Sequence, residues 1–332
     1  MRLYYEEERP RRIRKKKRRG ALGILWWILI RLLLLAVLCA VALYALPVGL
    51  FMIEPEAQLS PSSQLPSSRI NILLLGVDRL SEGSQRSDTV MIATIGYGEF
   101  AMTSVLRDTM VNIPGYGRGK LNAAYSHGGA ELTMRTLNEN FGLNITKYAL
   151  VDFTSLADII NAMGGVDIAI TQAEQTDINR NLVDSWKVFK KLGYSQSDTS
   201  PVALDFAGAD ENGYVAAHLD GFQALAYARI RRIDSDFTRT HRQRKLLHAA
   251  MLAVRQRWYN PIMLTRLIQT AFSQVDTNLN PLEIVSLALK AATCAEPRQL
   301  RLPVDGSYTD DGSALTDVDY GKNLEAFKAF AY

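Results

Sequence analysis

The sequence predicts a single α/β domain in which helices cover a central sheet, placed behind one membrane-spanning segment. Three observations carry this prediction. From residue 70 to residue 332, short apolar runs that end in Gly or Asp alternate with patterns of helical period, without any visible internal repeat. Before them stands a long apolar run with a single charge, residues 21–53. The apolar content of 48% and the charged content of 22% are ordinary for a globular chain, which argues against a largely disordered protein.

The N-terminal region divides into three segments by composition. Residues 1–20 carry ten Lys and Arg against three Glu, and we predict a basic cytoplasmic tail. Residues 21–53 are predicted to form a transmembrane signal-anchor helix, because the 22 uncharged residues from Leu32 to Ile53 can cross a hydrocarbon core of roughly 30 Å. Residues 54–69, rich in Pro, Ser and Gln, are typical of an extracellular linker before the domain at 70–332.

Other interpretations of this region are weaker. A cleavable signal peptide has a shorter apolar run, so we favour an uncleaved anchor with the N-terminus inside and the domain outside the cell membrane. A nucleic-acid partner is not expected, because the chain beyond residue 20 is slightly acidic and has no extended basic footprint. Cys39 lies in the predicted span, so Cys294 stands alone outside and no disulfide is expected within the domain.

The elements of the domain are expected in mixed order. Strands are predicted at 70–78, 89–96, 100–108, 147–153 and 166–170, from short apolar runs bounded by turn residues. Helices are predicted at 129–140, 153–163, 221–230, 237–257, 281–292 and 321–330, from apolar residues at helical spacing. Residues 172–215 are polar and irregular, and loops with short helices are expected there.

Two aspartates flank the loop between the first two strands. Asp78 closes the first strand, and Arg86, Ser87 and Asp88 open the second. If these strands are neighbours, the two carboxylates lie at adjacent strand ends and repel each other unless a cation lies between them. Oxygen ligands of this kind suit Mg²⁺, which takes one or two carboxylates together with phosphate oxygens. An ordinary role as loop and capping residues explains the same aspartates, and spacing alone favours it.

Arg107 and Asp108 directly follow the third predicted strand. An arginine at a strand end can hold an oxyanion with two N–H groups, or it can pair with the aspartate beside it. Taken by itself, this pattern favours the ion pair.

The most arginine-rich stretch of the domain is ARIRRIDSDFTRTHRQ, residues 228–243, with five arginines and no lysine. Arg229 and Arg231 stand where a helical pattern ends. A cluster of guanidinium groups needs an anion. Because an outer location and an acidic balance argue against nucleic acid, we expect phosphate or pyrophosphate on a molecule at the outer face of the membrane.

The next helix places two polar side chains on one face. Arg239 and Gln243 are four residues apart, so they lie one above the other on the helix. That face continues toward the core through Leu246. Arg242 and Lys245 point elsewhere, and we expect both to be solvated.

Five motifs, taken in chain order, resemble the LytR–CpsA–Psr family. They are NILLLGVD, RSDTVMIATI, SVLRDTMVNIPGYGRGKLNAAYSHGG, LVDFTSLADIINAMGGVDI, and HLDGFQALAYARIRR followed by DFTRTHRQRKLL, and they run from about residue 70 to 255. The resemblance implies a cytoplasmic N-terminus, one membrane helix and an extracellular three-layer α/β/α domain with a central mixed sheet. It also implies a Gram-positive type of envelope.

The resemblance further implies a ligase. Such enzymes take a glycopolymer (teichoic acid, capsular or another secondary wall polysaccharide) from undecaprenyl pyrophosphate and attach it to peptidoglycan through a phosphodiester. Carried over by motif, Asp78 and Asp88 are the expected ligands of Mg²⁺, or of Mn²⁺ in its place. The expected pyrophosphate-binding residues are Arg86, Arg107, Arg229, Arg231, Arg239 and Gln243.

Catalytic roles are implied for Arg107, Asp108 and Arg239. Asp108 either helps to deprotonate the acceptor hydroxyl or positions Arg107, and we favour positioning. The polyprenyl tail needs an apolar tunnel, which the helices between residues 129 and 163 could line, although core packing explains their apolar residues equally well.

Two other functions stay open at the level of the sequence. A pyrophosphate hydrolase would use water in place of the wall hydroxyl. A non-catalytic regulator of the envelope would bind the lipid-linked glycan and signal through the basic tail. The glycopolymer and the acceptor position are not readable from the residues.

Overall fold

The structure is a computed structural model that describes residues 59–66, 68–77, 87–96, 98–191, 194, 200–230, 236–257, 259–294 and 297–332. The predicted tail (1–20) and the predicted transmembrane helix (21–53) lie outside the described residues, as do Asp78, Arg86 and Arg231. Among the residues that are described, no helix is long and apolar enough to cross a bilayer.

The described strands and helices alternate along the chain. The strands are β1 (Ile70–Val77), β2 (Ser87–Gly96), β3 (Glu99–Val105), β4 (Met110–Ile113), β5 (Gly117–Lys120), β6 (Lys147–Asp152), β7 (Val166–Thr171), β8 (Tyr214–Leu219), β9 (Asp276–Thr277), β10 (Arg298–Leu302), β11 (Thr309–Asp310) and β12 (Leu315–Thr316). The helices are α1 (Leu121–Phe141), α2 (Phe153–Ala162), α3 (Gln172–Lys191), α4 (Gly221–Ala228), α5 (Asp236–Arg257), α6 (Pro261–Gln274), α7 (Pro281–Thr293) and α8 (Tyr320–Ala331).

Six of these strands form the central sheet, in the order β10-β3-β2-β1-β6-β9. β2 runs antiparallel to both β1 and β3, whereas β6 is parallel to β1 and β10 is parallel to β3. The predicted α/β class with a central mixed sheet is therefore confirmed. Three two-stranded sheets pair separately from it: the hairpins β4–β5 and β11–β12, and the pair β7–β8, whose strands are separated in the chain by α3.

Helices pack against both faces of this sheet. On one face, Leu73 of β1 belongs to a buried cluster with Leu137 of α1 and Phe327 of α8. On the other face, Ile72 belongs to a cluster against which Leu247 of α5 packs. Because successive side chains of a strand point to opposite faces, β1 contributes to both apolar layers.

Helix α1 is longer than the pattern at 129–140 predicts. It starts at Leu121 and contains a kink where Gly128 and Gly129 leave helical geometry, and Gly129 has a φ of 64°. The left-handed conformation is accessible to glycine without steric cost, so the pair allows two helical pieces to join at an angle. The pattern therefore predicted only the second piece.

The expectation of loops with short helices across 172–215 was wrong for its first part, whereas residues 200–213 do form loops and turns. Residues 172–191 form the long helix α3, and residues 214–219 form β8. Helix α3 buries Ile178, Leu182 and Phe189, which recur at helical spacing within an otherwise polar stretch. The helix is amphipathic, and its polar majority concealed the period.

Helix α6 was not predicted from the sequence, although its start carries a clear signal. The side chain of Asn260 accepts hydrogen bonds from the N–H groups of Ile262 and Met263, and Pro261 occupies the first turn. An Asn cap followed by Pro is a frequent beginning of a helix, because both suit the first turn.

Candidate functional site

An apolar cavity of about 270 Å³ lies between the central sheet and helices α2, α4 and α5. Its walls are almost entirely aliphatic; among them are Leu74, Met91, Val151, Ile159, Met163, Leu225, Leu246 and Ala250. Helix α2 falls within the range where the sequence placed a lipid tunnel. Helix α1 does not line this cavity, because it packs against the opposite face of the sheet.

Polar side chains line the same cavity. Asp88, Arg229, Arg239 and Gln243, which the sequence singled out from three separate segments, all contribute to its wall. The structure thus brings these four described residues to one place. Asp152, at the end of β6, joins them and was not predicted from the sequence.

The helical period of α5 explains how Arg239 and Gln243 reach the cavity. Both lie on the face that also carries Leu246 and Ala250, so one side of this helix supplies polar groups first and apolar groups further along. Arg239 is only 2% exposed. Within the described part of the chain, Oε1 of Gln243 is buried and accepts no hydrogen bond, so it is available to a ligand donor.

The pairing of β1 with β2 places Asp88, near the start of β2, beside the end of β1. Val77 is opposite Ser87, and the register shifts by one residue between Gly76 and Val77. The two strands are neighbours, as the proposed aspartate pair requires. Asp78 would follow Val77, but its position lies outside the described residues.

Arg107 lies between two carboxylates. Its Nη1 donates to Oδ1 of Asp88 at 2.6 Å, and its Nε donates to Oδ2 of Asp108 at 3.3 Å. The other oxygen of Asp108 accepts from Nζ of Lys120 at 3.0 Å. Since both oxygens of Asp108 contact cations, its geometry suits positioning of Arg107 better than removal of a proton.

Arg242 is buried, which corrects the expectation that it is solvated. It is 2% exposed, its Nε donates to Oε1 of Glu174 at 2.9 Å, and its Nη1 donates to the carbonyl of Ile230 at 3.1 Å. Its partner Glu174 belongs to α3, where the sequence predicted loops. Without that helix, no element was expected to cover this side of α5.

Lys245 is also less solvated than expected. Its Nζ donates to the carbonyl of Ala169 at 2.6 Å and lies 4.9 Å from the ring centre of Tyr214. Burial lowers the pKa of Lys245 below its ordinary value, although the nearby Glu174 carboxylate opposes the shift. The two-stranded β7–β8 sheet covers this side chain, so a second side of α5 is packed as well.

The described residues fit a divalent cation only in part. Asp88 is the one predicted metal ligand that the structure describes, and among the described residues no three His, Cys, Asp or Glu side chains gather as a metal cage. Mg²⁺ commonly takes one or two carboxylates and completes its shell with water and phosphate oxygens. A single carboxylate beside an anion site is therefore compatible with Mg²⁺ bound together with a phosphorylated substrate.

Comparison with known proteins settles the family. Residues 53–329 match the LytR_cpsA_psr family, which is most of the chain. The chain belongs to the LytR–CpsA–Psr family. The resemblance drawn from the five motifs is thereby confirmed.

Two curated relatives are 30% identical to this chain over most of their length. Regulatory protein MsrR of Staphylococcus aureus is 30% identical over 274 residues, which cover 79% of this chain and 74% of MsrR. The polyisoprenyl-teichoic acid–peptidoglycan teichoic acid transferase TagU of Enterococcus faecalis is 30% identical over 275 residues, covering 80% of this chain and 78% of TagU.

A solved structure of the family has the same fold. TagT of Bacillus subtilis with bound octaprenyl pyrophosphate lipid superimposes with a TM-score of 0.54 and 22% identity. The match covers 82% of this chain and 95% of that one.

Proposed function

We propose that this protein transfers a glycopolymer from a polyprenyl pyrophosphate to peptidoglycan through a phosphodiester. The observation that carries the proposal is a single cavity with an aliphatic body and with Arg229 and Arg239 in its wall. An isoprenoid chain is apolar and a pyrophosphate is anionic, so a lipid pyrophosphate matches both parts of this cavity. The names of TagU and of the TagT complex support the same substrate class.

The pyrophosphate would be held by arginine side chains from different segments. Arg239 and Gln243 come from α5, Arg229 from the end of α4, and Arg107 from the end of β3, and we propose that Arg86 and Arg231 complete the set. Phosphoryl transfer spreads negative charge over the phosphate oxygens, and fixed guanidinium groups stabilise that charge. These residues would bind the donor. The stabilisation by Arg107 and Arg239 would increase in the transition state, as the leaving phosphate gains negative charge.

The proposed reaction forms one phosphorus–oxygen bond and breaks another. The acceptor hydroxyl oxygen bonds to the sugar-side phosphorus, and the bond from that phosphorus to the bridging oxygen breaks. Polyprenyl phosphate leaves with the bridging oxygen and its electron pair. The hydroxyl proton ends on water or on the leaving phosphate, so no oxidant or further reactant is needed.

We propose that Asp88, with Asp78, holds Mg²⁺ or Mn²⁺ together with the pyrophosphate. A bound divalent cation would supply charge neutralisation at the phosphate oxygens. Arg107 pairs with the Asp88 carboxylate at 2.6 Å, which fixes the orientation of that side chain.

We also propose that residues 21–53 anchor the protein in the cell membrane, with the N-terminus in the cytoplasm and the domain outside. A donor embedded in the outer leaflet would then be within reach of the domain. Single cysteines test this topology in a variant without Cys39 and Cys294. An impermeant thiol reagent on intact cells is expected to label Ser63→Cys in the exposed linker, but not Tyr5→Cys in the basic tail.

A regulatory function is the second candidate, since one relative is named a regulatory protein. In that case the protein would bind the lipid-linked glycan without transferring it. A hydrolase would release polyprenyl phosphate while leaving the acceptor unmodified. The three candidates thus differ in what happens to the lipid and to the acceptor.

One assay separates them. The full chain in lipid nanodiscs is mixed with Mg²⁺, a short glycan on polyprenyl pyrophosphate and peptidoglycan oligomers. We expect release of polyprenyl phosphate together with an acceptor whose mass rises by the glycan phosphate, and loss of both in Arg239→Ala. Arg135→Ala, which removes an exposed arginine of α1 on the opposite face of the sheet, is the matched control and should keep activity. Release without a mass gain would indicate a hydrolase, and binding without release would indicate a regulator.

A further inference from the structure

A second, more polar cavity lies beside Asp108, one of the two ion-pair partners of Arg107. It has a volume of about 130 Å³ and is lined by Leu106 and Asp108, just after β3, and by Asp310 and residues 312–315 of the β11–β12 hairpin. Polar atoms make up a much larger share of its lining than in the first cavity, and Asp108 and Asp310 contribute carboxylates. It therefore suits a hydrophilic ligand.

The walls of this polar cavity are tied together by hydrogen bonds. The N–H of Leu315 donates to the carbonyl of Asp108 at 3.0 Å, and Thr109 forms a β-bridge with Leu315. Nζ of Lys120 donates both to Asp108 and, at 2.6 Å, to the carbonyl of Ser313. These contacts join the strand end to the hairpin, which favours a pre-organised binding site.

The tip of the hairpin is also ordered by its own side chains. Asp311 accepts hydrogen bonds from the N–H groups of Ala314 and Ser313, and these bonds hold the pKa of its carboxyl below the ordinary value. One oxygen of Asp310, Oδ1, accepts from the N–H of Gly312 at 2.9 Å. Within the described residues, the other oxygen of Asp310 makes no hydrogen bond and can accept one from a ligand.

The two cavities meet at one guanidinium group. Asp88 lines the apolar cavity, Asp108 lines the polar cavity, and Arg107 forms an ion pair with each. A reaction that joins two large substrates needs both bound next to the group that is transferred. Hydrolysis needs no second binding site, since water diffuses in freely.

We propose that the polar cavity binds the acceptor, a hydroxyl-bearing sugar of a peptidoglycan glycan strand, through Asp310 and the backbone of the hairpin. This inference rests on the proposed function, because it concerns the acceptor side of the same reaction. Carboxylate oxygens accept strong hydrogen bonds from sugar hydroxyls, whereas they repel phosphate and other anions. The sugar hydroxyl would then approach the donor phosphate from the side of Asp108, with Arg107 beside both substrates.

A binding measurement without donor tests this proposal independently of catalysis. The full chain in nanodiscs is titrated with a tetrasaccharide of the glycan strand that carries no peptide, and the affinity is measured by calorimetry. We expect Asp310→Ala, which removes the acceptor oxygens, to weaken binding by about tenfold. Ser313→Trp, which fills the mouth of the cavity, should abolish it. Asp305→Ala removes an exposed carboxylate outside the cavity and should bind like the wild type.

The transfer assay supplies the complementary readout. With donor present, Asp310→Ala should raise the KM for the acceptor about tenfold and leave the KM for the lipid donor unchanged. Equal binding of the tetrasaccharide by wild type, Asp310→Ala and Ser313→Trp, or no binding by the wild type, would overturn the assignment of this cavity. If the wild type binds the sugar through Asp310 but transfers nothing, the acceptor site stands and the proposed function fails.

Discussion

Arg242 and Glu174 form an ion pair that is withdrawn from solvent, with Nε and Oε1 2.9 Å apart. The same guanidinium donates to the carbonyl of Ile230, the residue that directly follows Arg229. The second oxygen of Glu174 accepts from the N–H of Thr171 at the end of β7. This pair therefore connects α3, α5 and the end of α4, and it holds the backbone beside Arg229 in place.

Removing one member of this pair should be costly. Arg242→Met leaves the Glu174 carboxylate buried without its cation, and a loss of about 3–5 kcal/mol in the free energy of unfolding is expected. The double variant Arg242→Met/Glu174→Leu replaces the pair with apolar groups and should recover most of that loss. Urea unfolding of the three proteins measures both values.

The double variant should remain a poor enzyme although it is stable. Without the bond to Ile230, the backbone beside Arg229 loses one of its hydrogen bonds, so donor KM should rise while the fold is retained. Arg244→Met is the control, because Arg244 is also buried in α5 but bonds to Gln299 and Ser104, away from the cavity. If the stable double variant keeps the wild-type donor KM, the pair is purely structural.

Arg107→Lys should separate charge from geometry. Lysine keeps the positive charge but cannot hold Asp88 and Asp108 with a planar fork. We expect the rate of transfer to fall by roughly 10²–10³-fold, as for the loss of one charge-stabilising donor. Circular dichroism and the melting temperature should change little, since the side chain is partly exposed. Near-normal transfer by this variant would mean that Arg107 acts only through its charge.

Filling the apolar cavity should impair the lipid donor specifically. Ala250 of α5 lines that cavity, and Ala250→Phe puts an aromatic ring into its empty space without displacing core atoms. The melting temperature should hold or rise, while affinity for long polyprenyl donors falls more than affinity for short ones. Ala253→Phe, in the packed core one turn along, should instead destabilise by about 1–3 kcal/mol. Equal affinities for both chain lengths would argue that the tail binds elsewhere.

The ion pairs of Glu99 should make stability depend on acidic pH. Its carboxylate contacts Arg69 at 2.8 Å and Arg298 at 3.0 Å, and the hydrogen bond and charge of Arg69 lower the pKa of Glu99 below its ordinary value. Because the pKa is lower in the folded state, this stabilisation is present above the unfolded pKa of about 4.3. It is lost as pH falls through the folded-state pKa.

Glu99→Gln should accordingly melt below the wild type at pH 7, and the difference should close as pH falls below about 4. Melting curves across this range measure the gap. Glu325→Gln, at an exposed position of α8, should show no such gap at any pH. A difference for Glu99→Gln that persists unchanged at low pH would contradict the assignment.

The local sequence pattern was sufficient to predict much of the central sheet and the position of Arg239 and Gln243 on one face of α5. The continuous apolar runs of β1 and β2 can form little else in a globular chain, because only a buried strand hides every side chain of so short a segment. The four-residue spacing of Arg239 and Gln243 places them on one side of α5 wherever that helix packs. The five motifs were likewise sufficient for the family, since they depend on residue identity and order alone.

Residues whose environment comes from distant segments could not be placed in this way. Burial of Arg242 depends on Glu174, which is 68 residues away in a helix whose polar composition concealed it. The position of Arg107 between two cavities depends on β2 to one side and on a hairpin 200 residues later to the other.

The sequence by itself determined the residue types available and much of the order of strands and helices along the chain, because secondary-structure propensity and periodicity act over a few residues. Tertiary structure alone decided that four polar side chains from three segments share an apolar cavity, and that a second, polar cavity adjoins Arg107. Such sites arise from packing between elements far apart in the chain, and packing energies depend on contacts that no local pattern records.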